Sequence, residues 1–210
     1  MAALRLAVFD CDGVLFDSRE ANRRYYDHLR RSFGHPPMTP AELEFVHTHD
    51  ARLSTRHIFR EWPREQDEAE SYRATVDYGP YLDYMVMEEG LIPFLSLLKR
   101  RVRTAISTNQ TTTMANLMEK SGLAPYFEYV VTALDVTNPK PHPEALLRIL
   151  SHFGLEAGEG VFIGDSEVDR EHASSAGMRF IAYKNPSLEA DYHGSSFEEV
   201  AGLPPFREIG

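Results

Sequence analysis

The reading of the fold turns on Val8-Phe9-Asp10-Cys11-Asp12-Gly13-Val14-Leu15-Phe16-Asp17-Ser18. A short apolar run, Leu6-Ala7-Val8-Phe9, meets two aspartates that flank the only cysteine, and a glycine follows at once. The run is continuously apolar rather than alternating, which reads as a strand covered on both faces. Three further runs have the same character: Arg103–Ser107, Gly160–Ile163 and Arg179–Tyr183. A fourth, Tyr129–Thr132, is shorter. Helical patterns lie between them, over Pro93–Arg101, Thr112–Ser121, Pro143–Phe153 and Val168–Ala176. Strand and helix in alternation predict an α/β fold: a parallel sheet with helices on both faces, in three layers.

One stretch breaks that rhythm. From Arg19 to Glu89 only helical periodicity is found: Tyr25, Leu29 and Phe33 share a face, Ile58, Phe59 and Trp62 form another cluster, and Pro36-Pro37 and Trp62-Pro63 punctuate the segment. The expectation is a small α-helical domain inserted after the first strand. The core then comprises residues 1–16 and 90–210, and the insert residues 17–89.

Of the 210 residues, 42% are hydrophobic and 26% charged, in the ordinary range for a globular protein with one sizeable core. A formal net charge of -10 disfavours nucleic acid or an anionic membrane surface as partner, since either would repel the chain. A lone cysteine forms no internal disulfide, which points to a reducing cytoplasm. The opening Met1–Phe9 is too short for a signal peptide and lacks a small-residue cleavage site. No segment approaches the ~20 apolar residues of a membrane span. A cytoplasmic monomer or homodimer is expected.

Ligands of open parallel sheets bind beyond the carboxyl ends of the strands. The first strand ends in Asp10-Cys11-Asp12-Gly13, the next long run in Ser107-Thr108-Asn109, and Gly160–Ile163 in Gly164-Asp165-Ser166-Glu167-Val168-Asp169. Between the last two, Asn138-Pro139-Lys140-Pro141-His142-Pro143 opens a helix. Several carboxylates in one cleft repel each other unless a cation sits among them. Oxygen ligands without His or Cys select Mg²⁺ over zinc, and Mg²⁺ takes one or two carboxylates together with a substrate phosphate. A lysine and a short hydroxyl supply donors for the remaining phosphate oxygens. This set suits phosphoryl transfer, which needs positioning and charge stabilisation, and an aspartate can itself be the nucleophile.

Asp10-x-Asp12-Gly13-Val14-x-x-Asp17-Ser18, Thr108-Asn109, Lys140-Pro141 and Gly164-Asp165-Ser166-x-x-Asp169 resemble, in order and spacing, the four motifs of the haloacid dehalogenase-like hydrolase superfamily. They are most similar to its phosphoglycolate phosphatase-like and β-phosphoglucomutase-like branch, in which a helical cap lies between the first and second motifs. The resemblance implies a Rossmann-like core and a Mg²⁺-dependent phosphatase for a small phosphorylated molecule: a phosphoglycolate-like acid, a sugar phosphate or a nucleotide. It implies Asp10 as nucleophile and magnesium ligand, and Asp12 as general acid/base with its main-chain carbonyl on the metal. Thr108 and Asn109 would hold the phosphoryl group, and Lys140 would neutralise it and orient Asp10. Asp165 would bind the metal directly, and Asp169 through water.

Departures from relatives narrow the activity. Dehalogenases of the superfamily lack the second aspartate, here Asp12, and phosphonate-cleaving members use a cap lysine, whereas this chain has no lysine before Lys99. Sugar-phosphate mutases carry a histidine about twelve residues past the nucleophile, where this chain has Asn22, although His28 lies further along. A mutase, and a non-catalytic binding protein on the same fold, remain as alternatives.

Several residues have a plainer reading beside the functional one. Asp10 and Asp12 could make a turn, Thr108-Asn109 a helix N-cap, and Lys140 could be a surface lysine. Asp169 would also suit the dipole at a helix start. Ser107 is expected to face away from the cleft, because side chains alternate along a strand. Asp17-Ser18 are expected to cap the first inserted helix, Cys11 to be a buried spacer, and His172 to be structural or solvated. His47-Thr48-His49-Asp50 resembles a metal site but lacks helical ligand spacing, so a loop is expected. Arg52 and Arg56, one turn apart, could meet an anionic part of the substrate or be ordinary exposed arginines.

Overall fold

The computed structural model describes residues 3–49, 51–99 and 101–207. Along the chain come β1 (Leu6–Phe9), β2 (Phe16–Asp17), α1 (Arg19–Ser32), α2 (Pro40–Thr48), α3 (Ala51–Ile58), α4 (Gln66–Arg73), β3 (Val86–Met87) and α5 (Leu91–Leu98). After them follow β4 (Arg103–Ser107), α6 (Met114–Lys120), β5 (Tyr129–Val131), α7 (Glu144–Phe153) and β6 (Gly160–Gly164). The chain closes with α8 (Glu167–Ser175), β7 (Arg179–Tyr183), β8 (Tyr192–Gly194) and α9 (Phe197–Ala201). It divides into two compact units, Met1–Phe16 with Met87–Gly210, and Asp17–Val86. The apolar runs do form a parallel α/β sheet.

In the first unit six strands lie in the order β5-β4-β1-β6-β7-β8, and every pair is parallel. Phe9 sits between Ile106 of β4 and Ile163 of β6, and those two strands run one residue past the end of β1. From β1 the chain builds outward to β4 and β5, then returns to the other side of β1 for β6, β7 and β8. That reversal of strand order creates a crevice beyond the ends of β1 and β6, where open α/β sheets hold their ligands. Asp10 and Asp165 are the residues that follow those two strands.

Both faces of the sheet are covered, as the unbroken apolar runs require. Leu6 and Val8 pack toward one face with Leu146, Ile149 and Leu150 of α7 and Ala173 of α8. Phe9 points to the other, where its ring meets Phe94 of α5 (6.1 Å between centroids) and Phe197 of α9 (6.4 Å). Tyr183 stacks on the same Phe197 at 4.8 Å.

The periodicity places α5 from Pro93, yet the helix starts at Leu91. Proline is tolerated anywhere in the first turn, whose N–H groups have no intrahelical acceptor, so Pro93 marks the start without defining its first residue. β8 is not evident from the sequence: its three residues include exposed His193 and form an edge, with too little apolar pattern to register. Among the described residues no helix is long and apolar enough to cross a membrane.

The second unit holds α1 to α4 around Tyr25, Tyr26, Leu29, Val46, Ile58, Phe59 and Ala69, with Phe33 and Trp62 packed against them. α2 begins at a capping box: Thr39 accepts from the Glu42 N–H while the Glu42 carboxylate accepts from the Thr39 N–H at 2.8 Å. Buried Glu42 also accepts from Arg30 at 2.8 Å and Arg60 at 2.7 Å, tying α1, α2 and the turn after α3 together. Ser18 occupies the N-cap position of α1, but its hydroxyl makes no capping bond. Asp17 does that work instead, accepting from the Arg19 N–H at 2.9 Å.

Candidate active site

Asp10 continues the ladder of β1, its N–H donating to Ile163 of β6 at 2.9 Å, so its side chain leaves the sheet at a fixed place. Next comes Cys11, wholly buried, whose thiol is pushed up by burial and then by the flanking carboxylates; it is no thiolate nucleophile. Gly13 turns the chain with φ +75°, a conformation that favours glycine. A Cβ there would lie 1.9 Å from Asp165 Oδ2. Gly164 is similar: a Cβ would lie 2.4 Å from that of Asp169. The two glycines are the space into which two aspartates fit.

Lys140 is the hub. Its ammonium, almost wholly buried, lies 2.7 Å from Asp10 Oδ1 and 2.6 Å from Asp169 Oδ1. The other Asp169 oxygen accepts from the Ser166 hydroxyl at 2.7 Å and from the Asp165 and Ser166 N–H groups at 3.2 and 3.3 Å. Asp169 is therefore saturated by the chain's own donors, with Ser166 and Asp169 forming the capping box of α8. Asn109 grips the backbone of Lys140 from both sides, Nδ2 donating to its carbonyl (3.2 Å) and Oδ1 accepting from its N–H (3.1 Å). Thr108 is buried at the end of β4, its hydroxyl accepting from the Gln110 N–H at 3.1 Å.

Two carboxylates, Asp10 and Asp169, thus contact the one ammonium, and Asp12 and Asp165 stand beside Asp10 in the same electrostatic field. Burial, and after it the Asp169 charge, push Asp10 up to about 7 against the pull of Lys140. Burial and Asp169 also push Asp165 well above the carboxylate range. Burial raises Asp169 too, but the Lys140 charge and its hydrogen bonds hold it below the ordinary value; burial lowers Lys140, and the Asp10 and Asp169 charges outweigh it and raise the ammonium. Ligand oxygens of Asp10, Asp165 and Asp169 lie within 4.8 Å of one another. Hard oxygen donors and unbalanced negative charge fit a small divalent cation.

Behind Lys140, Ser107 turns into the core rather than the crevice, its hydroxyl 2.9 Å from His172 Nε2. His172 Nδ1 lies 2.8 Å from the His142 carbonyl, and burial, then the Lys140 charge, push the imidazole down to about 3. His172 is thus a neutral buried strut between β4 and the loop that carries Lys140. The Lys140–Pro141 peptide bond in that loop is cis.

The protein-family model for haloacid dehalogenase-like hydrolases matches residues 7–183. The chain belongs to that family. Among curated relatives, phosphoglycolate phosphatase 1 of Pseudomonas aeruginosa is 30% identical over 186 residues, covering 85% of this chain and 68% of that protein. A haloacid dehalogenase-superfamily hydrolase of subfamily IA, variant 1, from Geobacter sulfurreducens is 40% identical with TM-score 0.80, covering 95% and 96% of the two chains. The family protein SP0104 of Streptococcus pneumoniae, 17% identical, shares the fold with TM-score 0.84 over 96% and 99%. This chain falls in the phosphoglycolate phosphatase-like branch and is a phosphatase-type hydrolase.

Of the residues expected at the site of this hydrolase, Asp10, Asp12, Thr108, Asn109 and Asp165 follow the C-terminal ends of β1, β4 and β6, Lys140 lies on the loop before α7, and Asp169 lies in the first turn of α8. The Asn109 side chain is spent on the Lys140 backbone. Arg52 and Arg56 are exposed on α3 of the second unit, and Asp50 lies outside the described residues. Two participants are not apparent from the sequence. Gln110 donates to Asp12 Oδ2 at 2.9 Å, and Asn185 donates to the Asp165 carbonyl at 2.8 Å. Asn185 lies just past β7, and scrutiny of that strand's end would have found it.

Proposed function

We propose that this chain is a Mg²⁺-dependent phosphatase of a small phosphomonoester, working through a phosphoaspartate on Asp10. The observation that carries the proposal is the buried Asp10–Lys140–Asp169 chain with Asp165 beside it. It holds one Asp10 oxygen on an ammonium and keeps the carboxylate in a fixed orientation.

In the first step the other Asp10 oxygen attacks phosphorus, and the bond from phosphorus to the leaving oxygen breaks. Asp12 gives that oxygen its proton. In the second step a water attacks the same phosphorus and Asp12 takes the water's proton. The Asp10–phosphorus bond breaks and inorganic phosphate leaves. Lys140 spends two N–H groups on Asp10 and Asp169 and has a third for a phosphoryl oxygen; the Thr108 hydroxyl and the Asn109 main chain supply others. Mg²⁺ held by Asp10, the Asp12 carbonyl and Asp165, with Asp169 behind them, would supply the remaining charge neutralisation.

On this reading the second unit would serve as a cap that excludes bulk water and selects the leaving group, and its Arg52 and Arg56 are the candidates to bind an anionic part of the substrate. A mutase is disfavoured by Asn22, which is committed to structure: Oδ1 accepts from the Tyr78 hydroxyl at 2.9 Å and Nδ2 donates to Ser18 at 3.4 Å. The names of relatives make 2-phosphoglycolate the first substrate to try, with sugar phosphates and nucleotides after it, in a cytoplasmic setting. Hydrolysis of p-nitrophenyl phosphate with and without Mg²⁺ tests the reading. Activity should need Mg²⁺ and vanish in Asp10→Asn; turnover no greater than in that variant would sink it.

A further inference from the structure

Gln110 directly follows Thr108-Asn109 and is held at three points besides Asp12. Its N–H donates to Thr108 Oγ1 at 3.1 Å, its carbonyl accepts from the Ala133 N–H at 3.2 Å, and its side-chain Oε1 accepts from the Thr113 hydroxyl at 2.9 Å. The last contact orients the amide. With Oε1 on Thr113, the NH₂ group is the end presented to Asp12, and it donates to Oδ2.

We infer that Gln110 is the positioning residue of the general acid/base, and that Thr113 orients Gln110. The inference rests on the role proposed above for Asp12. An amide N–H already fills Asp12 Oδ2, and a proton on that oxygen would face a donor. The exchangeable proton therefore belongs on Oδ1. In the first step the Oδ1–H bond breaks as the leaving oxygen gains the proton and its electron pair from phosphorus. In the second, Oδ1 accepts the proton released by the attacking water. Gln110 exchanges no proton itself; it decides which carboxyl oxygen does and holds the group at one angle, where misplacement by an ångström is costly.

The dependence on leaving group separates positioning of an acid from a merely structural role. p-Nitrophenolate departs from phosphorus without needing a proton, whereas phenolate, of nearly the same shape, is helped by one. General acid catalysis is worth about 10²–10⁴ in rate, and a mispositioned acid forfeits part of that. In Gln110→Leu, kcat/KM for phenyl phosphate should fall about tenfold or more, while that for p-nitrophenyl phosphate falls less than about twofold. Thr113→Val, which leaves Gln110 in place but frees its amide, should show the same selectivity at a few-fold, and Thr113→Ser should restore it. Asp12→Asn is the control and should show the selectivity most strongly.

Equal loss on both substrates, or no loss on either, in both Gln110→Leu and Thr113→Val overturns the inference. If Asp12→Asn itself fails to discriminate between the substrates, it is the assignment of Asp12 that fails, and the positioning role falls with it. Should Gln110→Leu fold poorly, the pair Thr113→Val and Thr113→Ser decides alone.

Discussion

Replacing Lys140 by Met keeps an unbranched side chain one atom shorter and removes the ammonium with its charge and its three N–H donors. The ammonium is 2.7 Å from Asp10 and 2.6 Å from Asp169, and all three groups are buried or nearly so. Breaking a buried ion pair costs about 3–5 kcal/mol, because the abandoned charge has neither water nor partner. For a chain of this size each kcal/mol moves the melting temperature by about 2–4 °C, so Lys140→Met should melt about 10 °C lower near pH 8 without divalent ions. Lys140 lowers both Asp10 and Asp169, so its loss raises both. A carboxyl raised in the folded state retains protons that the unfolded chain has released, so stability rises as pH falls through the raised value. The deficit of Lys140→Met should therefore shrink between pH 8 and pH 5. Thermal melts by far-UV circular dichroism in EDTA at both pH values are the assay. A shift under about 2 °C at pH 8, or a deficit that grows on acidification, would refute the reasoning.

Three further outcomes are expected. Gly13→Ala would put a Cβ 1.9 Å from Asp165 Oδ2 at a φ of +75°, so Mg²⁺ affinity by isothermal titration should fall at least about tenfold; unchanged affinity contradicts the packing argument. Burial raises Glu42, but the Thr39 and Arg60 hydrogen bonds and the Arg30 charge outweigh it and hold the group down to about 2. A depressed carboxyl contributes stability that is present above its ordinary 4.5 and lost as pH falls toward 2. Allowing for screening on the exposed Arg60 side, Glu42→Gln should cost the second unit about 2 kcal/mol at pH 7 in urea titrations followed by Trp62 fluorescence, with the difference gone near pH 2. Cys11→Ala should keep most of the turnover, since the thiol is buried behind the carboxylates; abolished turnover in a folded, Mg²⁺-binding variant would make Cys11 more than a spacer.

The core sheet was legible because its strands are buried on both faces and so spell continuous apolar runs. Asp10, Thr108 and Asp165 were legible because each stands at the end of such a run, where the fold puts its ligands. Lys140 follows no strand and was visible through its prolines and motif context. Gln110 and Asn185 were harder. Their contribution is a single directed hydrogen bond to Asp12 or to the Asp165 backbone, and no periodicity marks which amide will make one. Ser18 shows the reverse limit: it has the residue type and position of a cap, yet its neighbour Asp17 makes the bond. Asn109 was placed at the right strand end, but only the structure shows its side chain spent on the Lys140 backbone.

The central claim is that Asp10 becomes phosphorylated. The direct measurement is to mix the protein with Mg²⁺ and substrate, quench in acid during turnover, reduce with borohydride and sequence the N-terminal peptide by mass spectrometry. A phosphoaspartate reduces to homoserine, so position 10 should carry homoserine only when substrate and Mg²⁺ are both present. Phosphate release with Asp10 unmodified throughout, or with the label on another residue, would contradict the account.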